Sequence, residues 1–269
     1  MEKMPLTSIS SGLGIEVMPD LYCFNVQIVN VCFIGNPNEG NTFILVDAGM
    51  PGSGEMIIQE AEKRFGKGCK LTNIILTHGH FDHVGAIEQL LQKWDVPIYA
   101  HPLEEPYLTG KEDYPPPNNE VEGLVAKMSP MFPRHSINIS SNLQLLGDDG
   151  KIPPLPNWRY IRTPGHTPGH ISLFRDSDRA LIAGDAITNV EQESLYEVLT
   201  QKQEMHGPPP YFTTDWQAAF ASVKAIEALE PQIAITGHGF PITGDELHTN
   251  LKKLVTNFEQ TEIPENHRV

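Results

Sequence analysis

The chain is poor in cysteine, in tryptophan and in positive charge, and it has no long apolar run. Each shortage excludes something. Cys23, Cys32 and Cys69 are an odd number with no C-x-x-C spacing, so neither a disulfide framework nor a thiolate metal site is expected. They read as reduced core residues. Nineteen Lys and Arg stand against 34 Asp and Glu, a formal charge of −15. That balance argues against nucleic acid as a partner, because no basic surface offsets phosphate repulsion. No apolar stretch approaches the roughly twenty residues of a transmembrane helix. Met1 to Asp20 lacks the basic start and apolar run of an export signal. The expectation is a cytoplasmic chain with no membrane partner that acts on a small molecule; the oligomeric state is open. What remains is an ordinary composition of 39% apolar and 20% charged residues, which separates it from disordered chains. At 269 residues it can bury a sizeable core without staples.

Turn residues and short apolar runs alternate from Gly14 to Gly49. They predict strands over Gly14 to Met18, Leu21 to Phe24, Gln27 to Ile34 and Thr42 to Asp47. A helix capped by Ser53 runs to about Phe65, followed by a strand from Leu71 to Thr77, a helix from Val84 to Trp94 and a strand from Pro97 to Ala100. The proline-rich section from His101 to Ser141 reads as an insertion over the surface, with a short helical stretch near Val121 to Met128. Strands resume over Leu143 to Leu146, Trp158 to Thr163, Ile171 to Arg175 and Arg179 to Ala183. After a second irregular section, Thr188 to Thr214, come a helix from Asp215 to Glu230, a strand from Gln232 to Thr236 and a helix from Asp245 to Glu259. This order fits an α/β fold of two sheets packed face to face with helices outside both. The whole reads as one domain, 1–269, with insertions at about 101–141 and 188–214.

Thr77-His78-Gly79-His80-Phe81-Asp82-His83 carries the chemistry. Three imidazoles and a carboxylate fall within six residues, between a strand and a helix. Neutral imidazole and carboxylate are the ligands a divalent transition metal such as zinc prefers. Gly79 is expected to bend the backbone so that His78 and His80 face one ion. Asp82 and His83, where the helix begins, are displaced enough to serve a second. Later strands also end in Thr before a His-bearing loop, Thr163-Pro164-Gly165-His166 and Thr236-Gly237-His238.

The H-x-H-x-D-H loop, the run from Thr163 to His170, Gly184-Asp185 after a strand and the late Gly237-His238-Gly239 together resemble the metallo-β-lactamase superfamily. The motifs come in the family's order from about Asp47 to His238. The resemblance implies a four-layer αβ/βα sandwich and two divalent metal ions, zinc first, with iron or manganese as other candidates. It implies that His78, His80 and His166 hold the first ion, that Asp82, His83 and His238 hold the second, and that Asp185 bridges them. Two such ions about 3.5 Å apart make hydroxide available from a bridging water near neutral pH, and Asp82 becomes the candidate for carrying a proton to the leaving group. The family takes its ligand from the first histidine of the pair His166 and His170, so His170 is expected to pack or hydrogen-bond behind it. Asp47 matches a recurrent strand-end aspartate near the metal loop, though a turn-stabilising role fits it equally. His101 is expected to support the site or the fold, and His135, His206, His248 and His267 to be ordinary loop or surface residues.

Departures narrow the class. Zinc β-lactamases carry Cys or Ser where Asp185 stands. Glyoxalase II enzymes append a helical glutathione-binding region, and little chain follows His238. Homoserine-lactone hydrolases carry a tyrosine where Thr188 stands, leaving Tyr196 or Tyr211 as substitutes from the second irregular section. The implied function is a dinuclear metallo-hydrolase of a carboxylic ester, lactone or thioester. The competing readings are a mononuclear iron dioxygenase of the persulfide type and a non-catalytic metal-binding module. The complete ligand set speaks against both.

Overall fold

Alternating apolar runs at the start of the chain build a meander, and parallel strands follow it once helices intervene. The computed structural model describes residues 7–118, 124–192 and 194–267, and the chain divides into two compact units, Met1–Tyr114 with His135–Leu146, and Pro115–Arg134 with Gly147–Val269.

The first unit contains β1 (Gly14–Met18), β2 (Leu21–Val26), β3 (Val29–Ile34), β4 (Thr42–Val46), α1 (Gly54–Phe65), β5 (Lys70–Ile75), α2 (Phe81–Val84), α3 (Ile87–Lys93), β6 (Ile98–Ala100), α4 (Glu105–Leu108) and β7 (Leu143–Leu145). Its sheet runs in order from β1 to β7. The pairs from β1 to β4 are antiparallel, and those from β4 to β7 are parallel. The mixed character follows from connection length. Hairpins join neighbours in the meander, whereas the parallel strands need crossovers. Every residue of β2 and β3 is buried, and the strands are apolar but for Asn25 and Asn30, which face each other across the pair and bond at 3.0 Å.

Several expectations are corrected here. Gln27 does not begin a strand; it turns the hairpin between β2 and β3 with φ 62°. Ser53 precedes α1 but does not cap it, because its hydroxyl donates to the Met50 carbonyl at 2.6 Å. The helix predicted from Val84 to Trp94 is two, α2 and α3, broken at Gly85. A Cβ at Gly85 would lie 2.2 Å from the Pro51 nitrogen, so the chain passes too close to that turn for any other residue. As a result Asp82 and His83 lie on a helical turn of their own. The section between β6 and β7 does not merely cover the surface, since it buries Glu104, Leu108 and Tyr114.

The second unit contains α5 (Leu124–Met128), β8 (Arg159–Arg162), β9 (Ile171–Arg175), β10 (Ala180–Gly184), α6 (Leu195–Thr200), α7 (Trp216–Ala228), β11 (Ile233–Thr236), β12 (Ile242–Thr243) and α8 (Gly244–Thr261). Part of the helical stretch expected near Val121 lies outside the described residues. The sheet order is β12-β11-β10-β9-β8, with β10 and β11 parallel and the other pairs antiparallel. The strands β8, β10 and β11 therefore run the same way and end at one edge. α7 and α8 pack their apolar faces together through Trp216, Val223, Leu251 and Phe258, all buried with Leu181 of β10.

Candidate metal centre

The seven candidate ligands fall into two sets, each built within one unit, and all seven are buried. The first set follows β5. The parallel strands β4, β5 and β6 end at the same edge, which places Asp47, the loop from Thr77 to His83, and Glu104 beside one another. Asp47 organises the loop. Its Oδ1 accepts the Thr77 amide at 2.8 Å, and its Oδ2 accepts both the Thr77 hydroxyl and His83 Nδ1, each at 2.8 Å. Of the two roles expected for Asp47, the structure therefore supports the one beside the metal loop, and its backbone is left-handed at φ 60°.

These bonds assign the rings. With its proton given to Asp47, the Thr77 hydroxyl accepts from His78 Nδ1 at 3.1 Å. That tautomer leaves the lone pair of His78 on Nε2, which faces His80 Nδ1 at 3.1 Å. Either a proton or a cation must sit between two such nitrogens. His83 gives Nδ1 to Asp47 and so turns Nε2 toward Asp82 Oδ2, 3.9 Å away. The loop thus presents two pairs, His78 with His80 and Asp82 with His83. An outer carboxylate that orients a ligating imidazole in this way also raises its basicity.

Gly79 is a glycine for a reason other than the one expected. It is absent from the glycines of positive φ. Instead its amide donates to Glu104 Oε2 at 3.0 Å and to the Tyr114 hydroxyl at 2.9 Å, while Tyr114 donates to Glu104. Burial and the Glu104 charge push the Tyr114 phenol well above its ordinary pKa. Neither Glu104 nor Tyr114 was legible as a site residue; the signal available was a glycine between two ligand-type histidines.

The second set belongs to the loops after β8, β10 and β11. His166 follows β8 in a turn seated on the start of α7: the Gly165 carbonyl accepts the amides of Thr214 and Asp215 at 2.9 and 3.0 Å, and a Cβ on Gly165 would lie 2.4 Å from the Ala219 nitrogen. Asp185 follows β10, and His238 follows β11. Gly237 donates to the Gly184 carbonyl at 2.8 Å, and the Asn189 amide donates to His238 O at 3.0 Å, which ties the two loops together. Asp185 Oδ2 lies 3.5 Å from His166 Nε2 and 3.3 Å from His238 Nε2. One carboxylate oxygen is therefore flanked by two imidazole nitrogens. His170, expected behind His166, bonds instead to the Asp185 backbone, its Nε2 accepting the Asp185 amide at 2.9 Å and its Nδ1 bonded to the Thr163 hydroxyl at 2.8 Å.

The other candidates are placed as follows. His101 Nδ1 accepts the Leu103 amide at 3.2 Å and caps the turn that carries Glu104. His206 pairs with Glu262 at 3.5 Å. Burial alone would lift that carboxyl, but hydrogen bonds from His206, Thr261 and the Gly207 amide hold it below its usual value. Tyr196 is 72% exposed, and Tyr211 is buried against Phe132 and Phe212. Thr188 donates to the carbonyls of Val190 and Gly207, and its backbone pairs with His206. The cysteines are free and buried; burial pushes the Cys23 thiol up to about 12.

The chain thus carries His and Asp groups that could hold a metal ion, on two mixed sheets flanked by helices. It belongs to the metallo-β-lactamase superfamily, whose family model matches residues 25–238, and it is a metallo-hydrolase of that superfamily. It is 56% identical over 252 residues to a probable metallo-hydrolase, YflN, of Bacillus subtilis (strain 168), covering 93% of this chain and 96% of the relative. It is 26% identical over 237 residues to the hydroxyacylglutathione hydrolase GloC of Haemophilus influenzae, covering 84% and 96% respectively. Among solved structures it resembles the BLEG-1 B3 metallo-β-lactamase, with a TM-score of 0.58 at 23% identity over 88% of this chain and 96% of that one. This likeness shows the fold. Among the described residues no helix is long and apolar enough to cross a membrane.

Proposed function

We propose that the two units form one domain, 1–269, whose two ligand sets close on a dinuclear centre that hydrolyses a carboxylic ester, lactone or thioester. In this reading His78, His80 and His166 would hold one divalent ion and Asp82, His83 and His238 the other, with Asp185 a candidate ligand of both. The observation that carries the reading is the single oxygen of Asp185 flanked by the ring nitrogens of His166 and His238. A carboxylate placed so suits two cations, one beside each imidazole. The donor set also fits the group chemically: nitrogen and oxygen ligands without thiolate suit zinc, iron or manganese.

Two such ions supply Lewis acidity toward a carbonyl oxygen and a water acidified to near neutrality. The chain's own residues hold and orient. Asp47 fixes His83 with Nε2 outward and, through the Thr77 hydroxyl, fixes His78 the same way. His170 anchors the Asp185 backbone from behind. Asp82 is the proton carrier in this reading, taking a proton from the attacking water and returning it to the departing oxygen or sulfur.

On the substrate, Asp185 stands where zinc β-lactamases carry Cys or Ser, which speaks against β-lactams. A thioester stays within the proposed class, because the relative GloC, a hydroxyacylglutathione hydrolase, is matched over 96% of its length. Tyr196 and Tyr211 lend no support to a lactonase-type tyrosine, one being exposed and the other packed between rings.

The test is elemental mass spectrometry on untagged protein, followed by ester, lactone and thioester assays. Close to two divalent ions per chain with hydrolysis of one class supports the proposal. A single iron supports the dioxygenase and overturns it. His80→Ala is expected to lose metal and turnover together while the fold is kept.

A further inference from the structure

The strongest feature outside the ligand sets lies beneath the loop that joins His78 to His80. Glu104 and Tyr114 come from the section between β6 and β7, and both are buried. Together they take one backbone proton. The Gly79 N–H, 3.0 Å from Glu104 Oε2 and 2.9 Å from the Tyr114 hydroxyl, has a two-centred acceptor, and the Tyr114 hydroxyl donates its own proton to the same Glu104 oxygen. The phenol ring continues upward. It lies against the His80 ring, with centroids 4.4 Å apart, and stacks on Tyr107 at 3.9 Å and 17°. The two histidines thus have a common floor, fixed at the one residue between them.

We infer that Glu104 and Tyr114 form a positioning clamp that sets how His78 and His80 converge on a cation, and that residue 79 is glycine because the Tyr114 hydroxyl occupies the place of its side chain. This rests on the metal-binding reading above. The steric part is direct: a Cβ at position 79 would lie 2.7 Å from the Tyr114 oxygen, with Leu108 Cδ2 next at 3.1 Å and Glu104 Oε2 at 3.5 Å. The polar part follows from the acceptors. The buried Glu104 side chain accepts both the Gly79 amide proton and the Tyr114 phenol proton beneath the histidine pair without occupying a ligand position. Neither residue touches the reacting atoms in this proposal; both act through the backbone between two ligands.

Cobalt(II) is the probe, because its absorption bands report ligand geometry apart from turnover. Tyr114→Phe keeps the ring stack and removes both hydrogen bonds. It is expected to raise the cobalt Kd about tenfold, as loss of an outer partner typically does, and to shift the cobalt bands. Gly79→Ala is expected to lower Tm in the wild-type background and to lower it less when combined with Tyr114→Phe, since the atom nearest the new methyl is gone. Unchanged cobalt affinity and bands in Tyr114→Phe overturn the clamp. Additive Tm losses overturn the steric account. Wild-type protein that takes up no cobalt overturns instead the metal-binding reading on which the clamp rests, so the failures are distinguishable.

Discussion

The two ligand sets solve the same problem in opposite ways. In the first, four ligand-type residues sit between His78 and His83, close in sequence, but their support comes from far along the chain: Asp47 from β4, Glu104 and Tyr114 from beyond β6. In the second, the candidate ligands spread from His166 to His238, and the loops that carry them hold one another: the Gly165 carbonyl takes the Thr214 and Asp215 amides, His170 takes the Asp185 amide, and the Asn189 amide donates to His238 O. Proximity in sequence leaves a short loop with too few internal bonds to hold four polar side chains, so it borrows rigidity. Ligands on separate strands are held by the sheet itself, because β8, β10 and β11 end together. A local motif borrows its supports from elements that carry no candidate ligand, whereas dispersed loops at one sheet edge support one another.

That contrast can be broken in order of effect. Asp185→Asn removes the charge between His166 and His238 and is expected to cost more than the roughly 10–100-fold that follows loss of an outer partner, read as metal content and kcat/KM together. Asp47→Asn comes next. It disturbs three hydrogen bonds at once, so metal affinity should fall by about 10–100-fold, measured by chelator competition. His170→Ala should be milder, leaving the buried Asp185 amide without its acceptor at about 1–3 kcal/mol, read as a fall in denaturation midpoint. If His170→Ala weakens metal binding as much as Asp47→Asn does, the idea that the sheet holds the second set is wrong.

The smallest effect lies outside both sets and serves as a reference. Glu262 is held below its ordinary pKa, so its stabilising bonds are complete above the unfolded value and are lost as pH falls through the lower folded value. Glu262→Gln should therefore lower Tm at neutral pH by an amount corresponding to about 1 kcal/mol, with the difference shrinking toward zero in acid and metal content unchanged throughout. A difference that persists in acid would place its origin in packing rather than charge.

The contrast also explains what could be read from the chain. His78, His80, Asp82 and His83 announce themselves because they are adjacent, and His166 and His238 because each follows a strand that ends in Thr; Asp185 stands out only through the family resemblance of Gly184-Asp185. The meander and the helices after Gly54 and Trp216 are equally legible from periodicity. Hidden features depend on contacts made after folding. Gly85 divides a continuous helical pattern because Pro51 approaches it, and Ser53 gives its hydroxyl to Met50 rather than to the helix. Tyr114 sits before three prolines with nothing local to link it to Gly79. Periodicity describes an element's faces; it carries no information about which distant residue will lie 3 Å from one amide.

Thr188 has a consequence of a different kind. With its hydroxyl on Val190 and Gly207 and its backbone paired to His206, it closes the base of the segment that carries α6, immediately after Asp185. A segment joined at its base keeps its two ends together whatever its length, and lengthening it costs only about 0.6 kcal/mol per doubling of loop length. The pair of Thr188 and His206 thus sets the span of this stretch at its foot, while the buried Val198 and Gln201 tie its composition to their surroundings.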